Sequence, residues 1–344
     1  MSYYDGTKLL SLKDINGEQP EIYLCCSNRS AGKTTFFGRW FVNRFIKYEE
    51  KFILLYRYNY ELSDIPDKFF RELKYLFFPN ETMTAKTRAK GVYAELFLND
   101  KSCGYALSIN NADQIKKMSH LFSDAKRILF DEFQSESSHY CDNEIEKFIS
   151  IHTSIARGQG KQVKYLPVYL LGNYVTMLNP YFYALGISDK LQLNTNFMRG
   201  DGWVLEQGFN DAASEQQKGS AFNRAFARED YTRYNTEKFY LNDQDAFIER
   251  PSGIGKYLCT IIYDNKLYGI REFKEQGIIY CDNSADESFP VKLCVTADDH
   301  NVNYLMLRKN DMFINMLRWY FEHGVFRFKN LECKKAILEI CVYR

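Results

Sequence analysis

Ser27-Asn28-Arg29-Ser30-Ala31-Gly32-Lys33-Thr34 is the stretch whose reading decides the fold. It departs from the phosphate-loop pattern G-x-x-x-x-G-K-[ST] only at its first position, where Ser27 replaces Gly. Such a loop works by geometry: successive backbone N–H groups and the N-terminus of the next helix point at one anion. Gly32 lets the backbone approach closely, Lys33 would reach the β- and γ-phosphates, and the Thr34 hydroxyl would hold Mg²⁺. Gly-Lys-Thr alone arises by chance, but the flanks argue against coincidence. Glu21-Ile22-Tyr23-Leu24-Cys25-Cys26 reads as a short buried strand, and residues 35–49 place Phe37, Phe41 and Phe45 on one helical face. The sequence thus predicts that the eight residues from Ser27 to Thr34 bind the phosphates of ATP.

Working outward, residues 51–57 form a second apolar strand, 61–76 a helix, and 84–109 a β-meander with turns at Lys90-Gly91 and Asn99-Asp100. Ile128-Leu129-Phe130-Asp131-Glu132 is a third apolar strand ending in two acids. Residues 145–155 read as a helix, 165–171 as a fourth strand and 190–193 as a fifth. Strands alternating with helices predict an α/β architecture, a parallel sheet flanked by helices.

A strand that ends in Asp delivers a carboxylate to the sheet edge where Mg²⁺ lies, so Asp131 is the expected metal residue, acting largely through water. Glu132, next in the chain, is placed to polarise the attacking water. Adjacent acids favour hydrolysis over a nucleotide switch, because many switches position water with Gln. Asn173 follows the fourth strand; it either reports on the γ-phosphate or serves as a turn residue. Arg157 ends the helix after the acidic pair. It either offers a guanidinium to a neighbouring subunit's phosphates or offsets the helix dipole. Arg29, inside the loop, competes as a charge supplied in cis. Lys86, Arg88 and Lys90, with Lys116-Lys117, could meet DNA phosphates, neighbouring subunits or only water.

The chain is not a polycation. Of its 344 residues, 45 are Lys or Arg and 44 Asp or Glu. Residues 1–200 carry 26 basic against 22 acidic residues (+4) and the remainder 19 against 22 (−3). Any nucleic-acid surface must be a local patch, which suits a protein that releases its track. Nine scattered cysteines without a CxxC pair argue against a disulfide framework or a zinc ribbon and suit a reduced cytoplasm. No apolar stretch approaches membrane length, so no membrane partner is expected.

Composition changes near Gly200. Residues 1–200 are read as the nucleotide-binding domain, 201–238 as a polar helical linker, and 239–344 as a small α+β domain. The last has strands at 255–263, 266–273, 277–281 and 292–296 and helices at 310–322 and 331–341. Asp264, Asp282, Asp298 and Asp299 raise the question of a two-metal nuclease, which needs converging carboxylates. Asp264-Asn265 instead reads as a hairpin turn and Asp298-Asp299 as a helix start.

With these residues in place, the chain resembles the DNA-packaging ATPases of the phi29-like tailed phages. The matching features are Arg29-Ser30-Ala31-Gly32-Lys33, Asn43-Arg44-Phe45-Ile46-Lys47-Tyr48, Arg57-Tyr58, Phe130-Asp131-Glu132-Phe133, and Asn173 with Asn179-Pro180-Tyr181-Phe182. Phe247-Ile248-Glu249 and the segment from Gly324 to Phe328 extend the likeness towards the C-terminus, so it covers most of the chain. The resemblance implies an ASCE-type P-loop ATPase domain with an extra strand between the two nucleotide-binding strands, a helical linker and a degenerate RNase H-like C-terminal domain. It also implies a homo-oligomeric ring, pentameric in the family, that moves double-stranded DNA through the procapsid portal, with a structural packaging RNA as a further partner. Such a motor works in the cytoplasm of the infected host, transiently at the procapsid vertex. By the same resemblance Arg157 acts in trans as the arginine finger, and Lys117 or Lys116 acts across the subunit interface. Two departures matter. Ser27 requires the opening turn of the loop to accept a Cβ. Phe133-Gln134-Ser135-Glu136-Ser137 stands where the family's best-known member is basic, so no DNA-gripping residue carries over there. Two other readings fit part of the pattern: a terminase-like ATPase with an active nuclease, and a non-hydrolysing P-loop scaffold of the capsid vertex.

Overall fold

The computed structural model describes residues 4–341 except 138, 158–161, 189, 192–194, 239, 242–246, 295, 307–311 and 324. The chain divides into two compact units, Met1–Val175 with Gln192–Leu241, and Thr176–Leu191 with Asn242–Arg344.

In the first unit the strands are β1 (Ile22–Cys26), β2 (Phe52–Tyr56), β3 (Met83–Arg88), β4 (Tyr93–Leu98), β5 (Lys101–Ser108), β6 (Arg127–Asp131), β7 (Val168–Gly172), β8 (Phe197–Gly200) and β9 (Trp203–Gln207). Its helices are α1 (Thr7–Ser11), α2 (Lys33–Tyr48), α3 (Glu61–Phe77), α4 (Ala112–Lys117) and α5 (Glu144–Ala156); α6 (Pro180–Ala184) belongs to the second unit. Then follow α7 (Asp211–Gly219), α8 (Ala221–Ala225) and α9 (Asp230–Thr236), again in the first. The sheet order is β3-β4-β5-β2-β6-β7-β1-β9-β8. Its six central strands, from β5 to β9, are mutually parallel, and hairpins close both edges. β7 lies between β1 and β6, the extra strand that the resemblance implies.

Parallel strands covered on both faces read as unbroken apolar runs, and β2 and β7 are buried along their whole length. On one face Phe37 and Phe41 of α2 join Tyr23, Leu54, Leu129, Tyr169 and Val204 in a single core. On the other, Phe148 of α5 stacks on Phe130 with ring centroids 6.4 Å apart. Helix α2 can approach α3 because position 38 is Gly; a Cβ there would sit 2.9 Å from the Phe69 ring.

The expected boundary at residue 200 falls inside the β8–β9 hairpin. Trp203-Val204-Leu205-Glu206-Gln207 is buried throughout and pairs in parallel with β1, so the sheet continues to Gln207. Helices α7–α9, expected as a linker, fold within the same unit. The expected strand at 190–193 does not form where it is described: Lys190 lies in a turn and Leu191 in no strand, while residues 192 and 193 lie outside the described set.

The second unit holds β10 (Lys256–Tyr263), β11 (Lys266–Phe273), β12 (Ile278–Asp282), β13 (Lys292–Cys294), β14 (Leu305–Met306) and β15 (Phe326–Phe328), with α10 (Met312–Glu322) and α11 (Leu331–Cys341). The order β14-β13-β10-β11-β12 places a three-strand antiparallel meander beside two parallel strands, which is RNase H-like; β15 adds to β12. Asp264 and Asn265 have φ of 53° and 57°, as the expected two-residue hairpin requires. Leu317 of α10 and Ala336, Ile337 and Ile340 of α11 pack on this sheet.

Candidate nucleotide site

β1 ends at Cys26 and α2 begins at Lys33, so residues 27–32 cross the C-terminal edge of the parallel sheet. Ser27 is fully buried, and its N–H donates to the Gly172 carbonyl at 3.2 Å. Its φ is not positive, so the Cβ in place of the pattern's Gly is accepted without strain. The left-handed residues of the loop are instead Ser30 (φ 59°) and Gly32 (φ 93°). Gly32 caps α2, and no side chain caps its first turn. The orphan N–H groups of a 16-residue helix therefore face the loop's interior, an anion site made of backbone.

Lys33 is 6% exposed, and burial holds its ammonium below the usual lysine range. Its Nζ donates to Ser27 Oγ at 2.9 Å, to Asn173 Oδ1 at 3.0 Å, and to the Ser27 and Asn28 carbonyls at 3.4 Å. These are neutral partners. A buried cation without a counter-charge in contact is costly unless an anion arrives. From β6, Asp131 Oδ2 accepts the Thr34 hydroxyl at 2.6 Å, and burial raises the Asp131 carboxyl above its ordinary range. Thr34, Lys33, Asp131 and Asn173 thus meet where α2, β6 and β7 converge. A single carboxylate beside a hydroxyl is a hard, oxygen-only donor set. It suits Mg²⁺, which takes one or two protein oxygens and completes its shell with water and phosphate.

Glu132 follows directly, exposed and in the left-handed region at φ 55°. Desolvation and then the neighbouring Asp131 lift its carboxyl above the usual range. Arg29 turns towards Glu136, 3.7 Å away, and Tyr231 of α9. Glu136 also accepts from Tyr231 and Tyr234 at 3.0 and 2.9 Å, and Gln217 of α7 donates to Ser30 at 2.8 Å. No sequence pattern marks these contacts from α7 and α9, since their residues sit in a polar run 180 or more positions from the loop.

Arg157 is exposed at the C-terminal cap of α5. The helix starts beside the Glu132 turn and runs back along the sheet. At its other end Lys164 N–H bonds the Ala156 carbonyl and Lys164 Nζ bonds Ala125, just before β6, both at 2.9 Å. Arg157 therefore lies about 20 Å, the length of 13 helical residues, from the edge that carries its own phosphate loop. Lys116 and Lys117 are exposed in the last turn of α4. Arg88 is paired with Glu95 at 2.9 Å on the edge hairpin, and Lys86 lies over Phe97. Asn28 is buried and exchanges hydrogen bonds with Asn210; Ala31 is buried, and its carbonyl accepts from Tyr4 N–H at 2.7 Å.

Residues 1–343 match the family model described as Podovirus DNA encapsidation protein (Gp16). The chain belongs to this family. It is 25% identical over 342 residues to the DNA packaging protein of Bacillus phage phi29, covering 98% of this chain and 96% of that one. It is 26% identical over 308 residues to the counterpart in Bacillus phage B103, covering 88% and 90%. A chain of the bacteriophage Phi-29 viral genome packaging motor assembly shares the fold with TM-score 0.61 at 22% identity, over 99% of this chain and 98% of that one. A chain of the Phi-28 gp11 DNA packaging motor gives TM-score 0.63 at 16% identity, with the same coverage. As a member of this packaging family, the chain carries a P-loop ATPase fold and a C-terminal domain.

Among the described residues, Asp264, Asp282, Asp298 and Asp299 do not gather into a metal-binding group. Asp282 is bound by the buried Arg271, and Asp299 accepts the N–H groups of Asp264 and Asn265 at 2.9 Å, tying down the hairpin. Asp264 and Asp298 are exposed, and among the described residues no group of three metal-ligating side chains gathers. Purified protein incubated with supercoiled plasmid and Mn²⁺ is expected to leave it uncut; nicking on gels would restore the nuclease reading. Among the described residues, no helix is long and apolar enough to cross a membrane.

Proposed function

We propose that the chain hydrolyses Mg-ATP at the loop Ser27–Thr34 and uses the energy to drive double-stranded DNA into a procapsid, as a subunit of a ring on the portal. One observation carries the reading: the buried ammonium of Lys33 and the Thr34–Asp131 pair meet at one sheet edge, under the uncapped start of α2. The loop amides and Lys33 bind the triphosphate, while Thr34 and Asp131 hold the metal. When bound, Mg²⁺ neutralises charge on the β- and γ-oxygens. Glu132 accepts a proton from the water whose oxygen bonds to the γ-phosphorus as the bond to the leaving ADP oxygen breaks. Asn173, bonded to Lys33 Nζ, changes partner when the γ-phosphate arrives. Arg157 completes a neighbour's site in trans, with Lys117 or Lys116 lining the same interface.

Phosphate release from ATP by the purified chain tests the proposal. Lys33→Ala is expected to abolish measurable binding of a fluorescent ATP analogue and lower phosphate release by about 100-fold or more, as removing a charge-assisted clamp predicts. Wild-type protein that binds ATP without releasing phosphate would instead support the scaffold reading.

A further inference from the structure

A buried ion pair stands beside the site but touches no nucleotide-binding residue side chain. Arg57 follows β2 and Glu144 opens α5; both are buried. Arg57 Nε donates to the two carboxylate oxygens of Glu144 at 3.0 and 3.2 Å. The remaining guanidinium nitrogens point at backbone: Nη1 donates to the Glu132 carbonyl at 3.2 Å and Nη2 to the Phe133 carbonyl at 2.6 Å. The Phe130 and Tyr140 rings flank the guanidinium, with centroids 5.5 and 5.0 Å away. Glu144 is fixed in turn by the Cys141 N–H at 2.8 Å, and the Arg57 carbonyl by Ser108 Oγ and Asn110 N–H, each at 3.1 Å.

Two facts give this cluster a purpose. A buried ion pair contributes little net stability, because desolvation offsets the attraction, so the pair calls for a reason other than the fold's strength. The turn it grips contains Glu132 in the left-handed region, which side-chain-bearing residues avoid and which persists only where the surroundings impose it. Two guanidinium bonds to consecutive carbonyls impose it, and the planar fork of Arg fixes both directions at once.

We propose that Arg57, oriented by Glu144, is a positioning residue that holds the Asp131–Phe133 turn so that the Glu132 carboxylate faces the attacking water. This rests on the reading of Glu132 as the base. The pair acts on the rate of hydrolysis, not on nucleotide affinity, because neither side chain reaches the loop Ser27–Thr34.

The test measures kcat and KM for ATP, and Kd for a fluorescent ATP analogue, on the full-length chain. Arg57→Gln is expected to lower kcat by about 10- to 100-fold, the range for a displaced catalytic group, with Kd within about threefold of wild type. Arg57→Lys is expected to recover part of the loss, since it keeps the charge but not the fork. The double variant Arg57→Met/Glu144→Leu leaves no orphaned charge and is expected to fold, bind the analogue and remain slow. Wild-type kcat in any folded single or double variant overturns the proposal. So does a rise in Kd parallel to the fall in kcat, or a double variant that does not fold, which would assign the pair to the fold. If Glu132→Gln is inactive while Arg57→Gln is fully active, this inference alone fails. If Glu132→Gln is itself active, the underlying assignment of the base fails.

Discussion

Glu132→Gln is expected to bind Mg-ATP within about threefold of wild type and to turn it over roughly 10²- to 10⁴-fold more slowly, the range for losing a positioned general base. The two halves of this result come from different atoms. In the proposed site affinity rests on the loop amides, Lys33 and the Thr34–Asp131 pair, whose hydrogen bonds do not use the Glu132 side chain. The Glu132 N–H does bond to Asp131 Oδ1 at 3.0 Å, but Gln keeps that backbone donor. Gln is also isosteric, so the left-handed turn and the Arg57 bonds to its carbonyls persist. What changes is proton affinity: an amide cannot take the proton that water loses on attacking phosphorus. Equilibrium titration with a fluorescent ATP analogue and a continuous phosphate-release assay separate binding from turnover. Hydrolysis at the wild-type rate would remove Glu132 as the base.

The parts of this site legible in the sequence are those whose chemistry is local. Gly32-Lys33-Thr34 between an apolar strand and an amphipathic helix, and Asp131-Glu132 at the end of another, mark themselves because each motif is contiguous with the element that aims it. Asn173 could be placed after a strand but not joined to Lys33, since that contact spans 140 positions. Arg57 and Glu144 lie 87 apart, and neither belongs to a pattern that announces a partner. Strand β9 carries no clear strand pattern, because its five buried residues include Glu206 and Gln207, which mimic a surface segment. Part of that polarity is compensated in space: Tyr4 donates to Glu206 and Tyr240 to the side-chain oxygen of Gln207. The polar run beyond it resembled a linker for the same reason. Gln217, Tyr231 and Tyr234 spend their polar atoms on Ser30, Arg29 and Glu136, and only the folded sheet brings those groups near.

Mixing Glu132→Gln and Arg157→Ala subunits, each nearly inactive alone, is expected to restore ATP hydrolysis. The prediction follows from the path of α5. Its first residue, Glu144, is bonded to Arg57 beside the Glu132 turn, and its C-terminal cap is Arg157, at the opposite edge of the sheet. About 20 Å of helix separates them, far beyond the reach of a guanidinium on a single residue, so Arg157 cannot meet the γ-phosphate of its own chain. If it acts at all in catalysis, it acts on a neighbour. Alone, Arg157→Ala should lose about 10³- to 10⁵-fold in turnover, as for other arginine fingers, with nucleotide binding retained. In a mixed ring, an Arg157→Ala subunit still owns Glu132, and a Glu132→Gln neighbour still owns Arg157; where they meet in the right order the site is whole. Random assembly makes about one quarter of interfaces whole at equal amounts, so phosphate release should rise at least about tenfold above either variant alone, given the size of each single defect. A mixture that only sums the two residual activities would place Arg157 outside the chemistry. It would then be an exposed residue at a helix C-terminus, worth a fraction of a kcal/mol against the dipole.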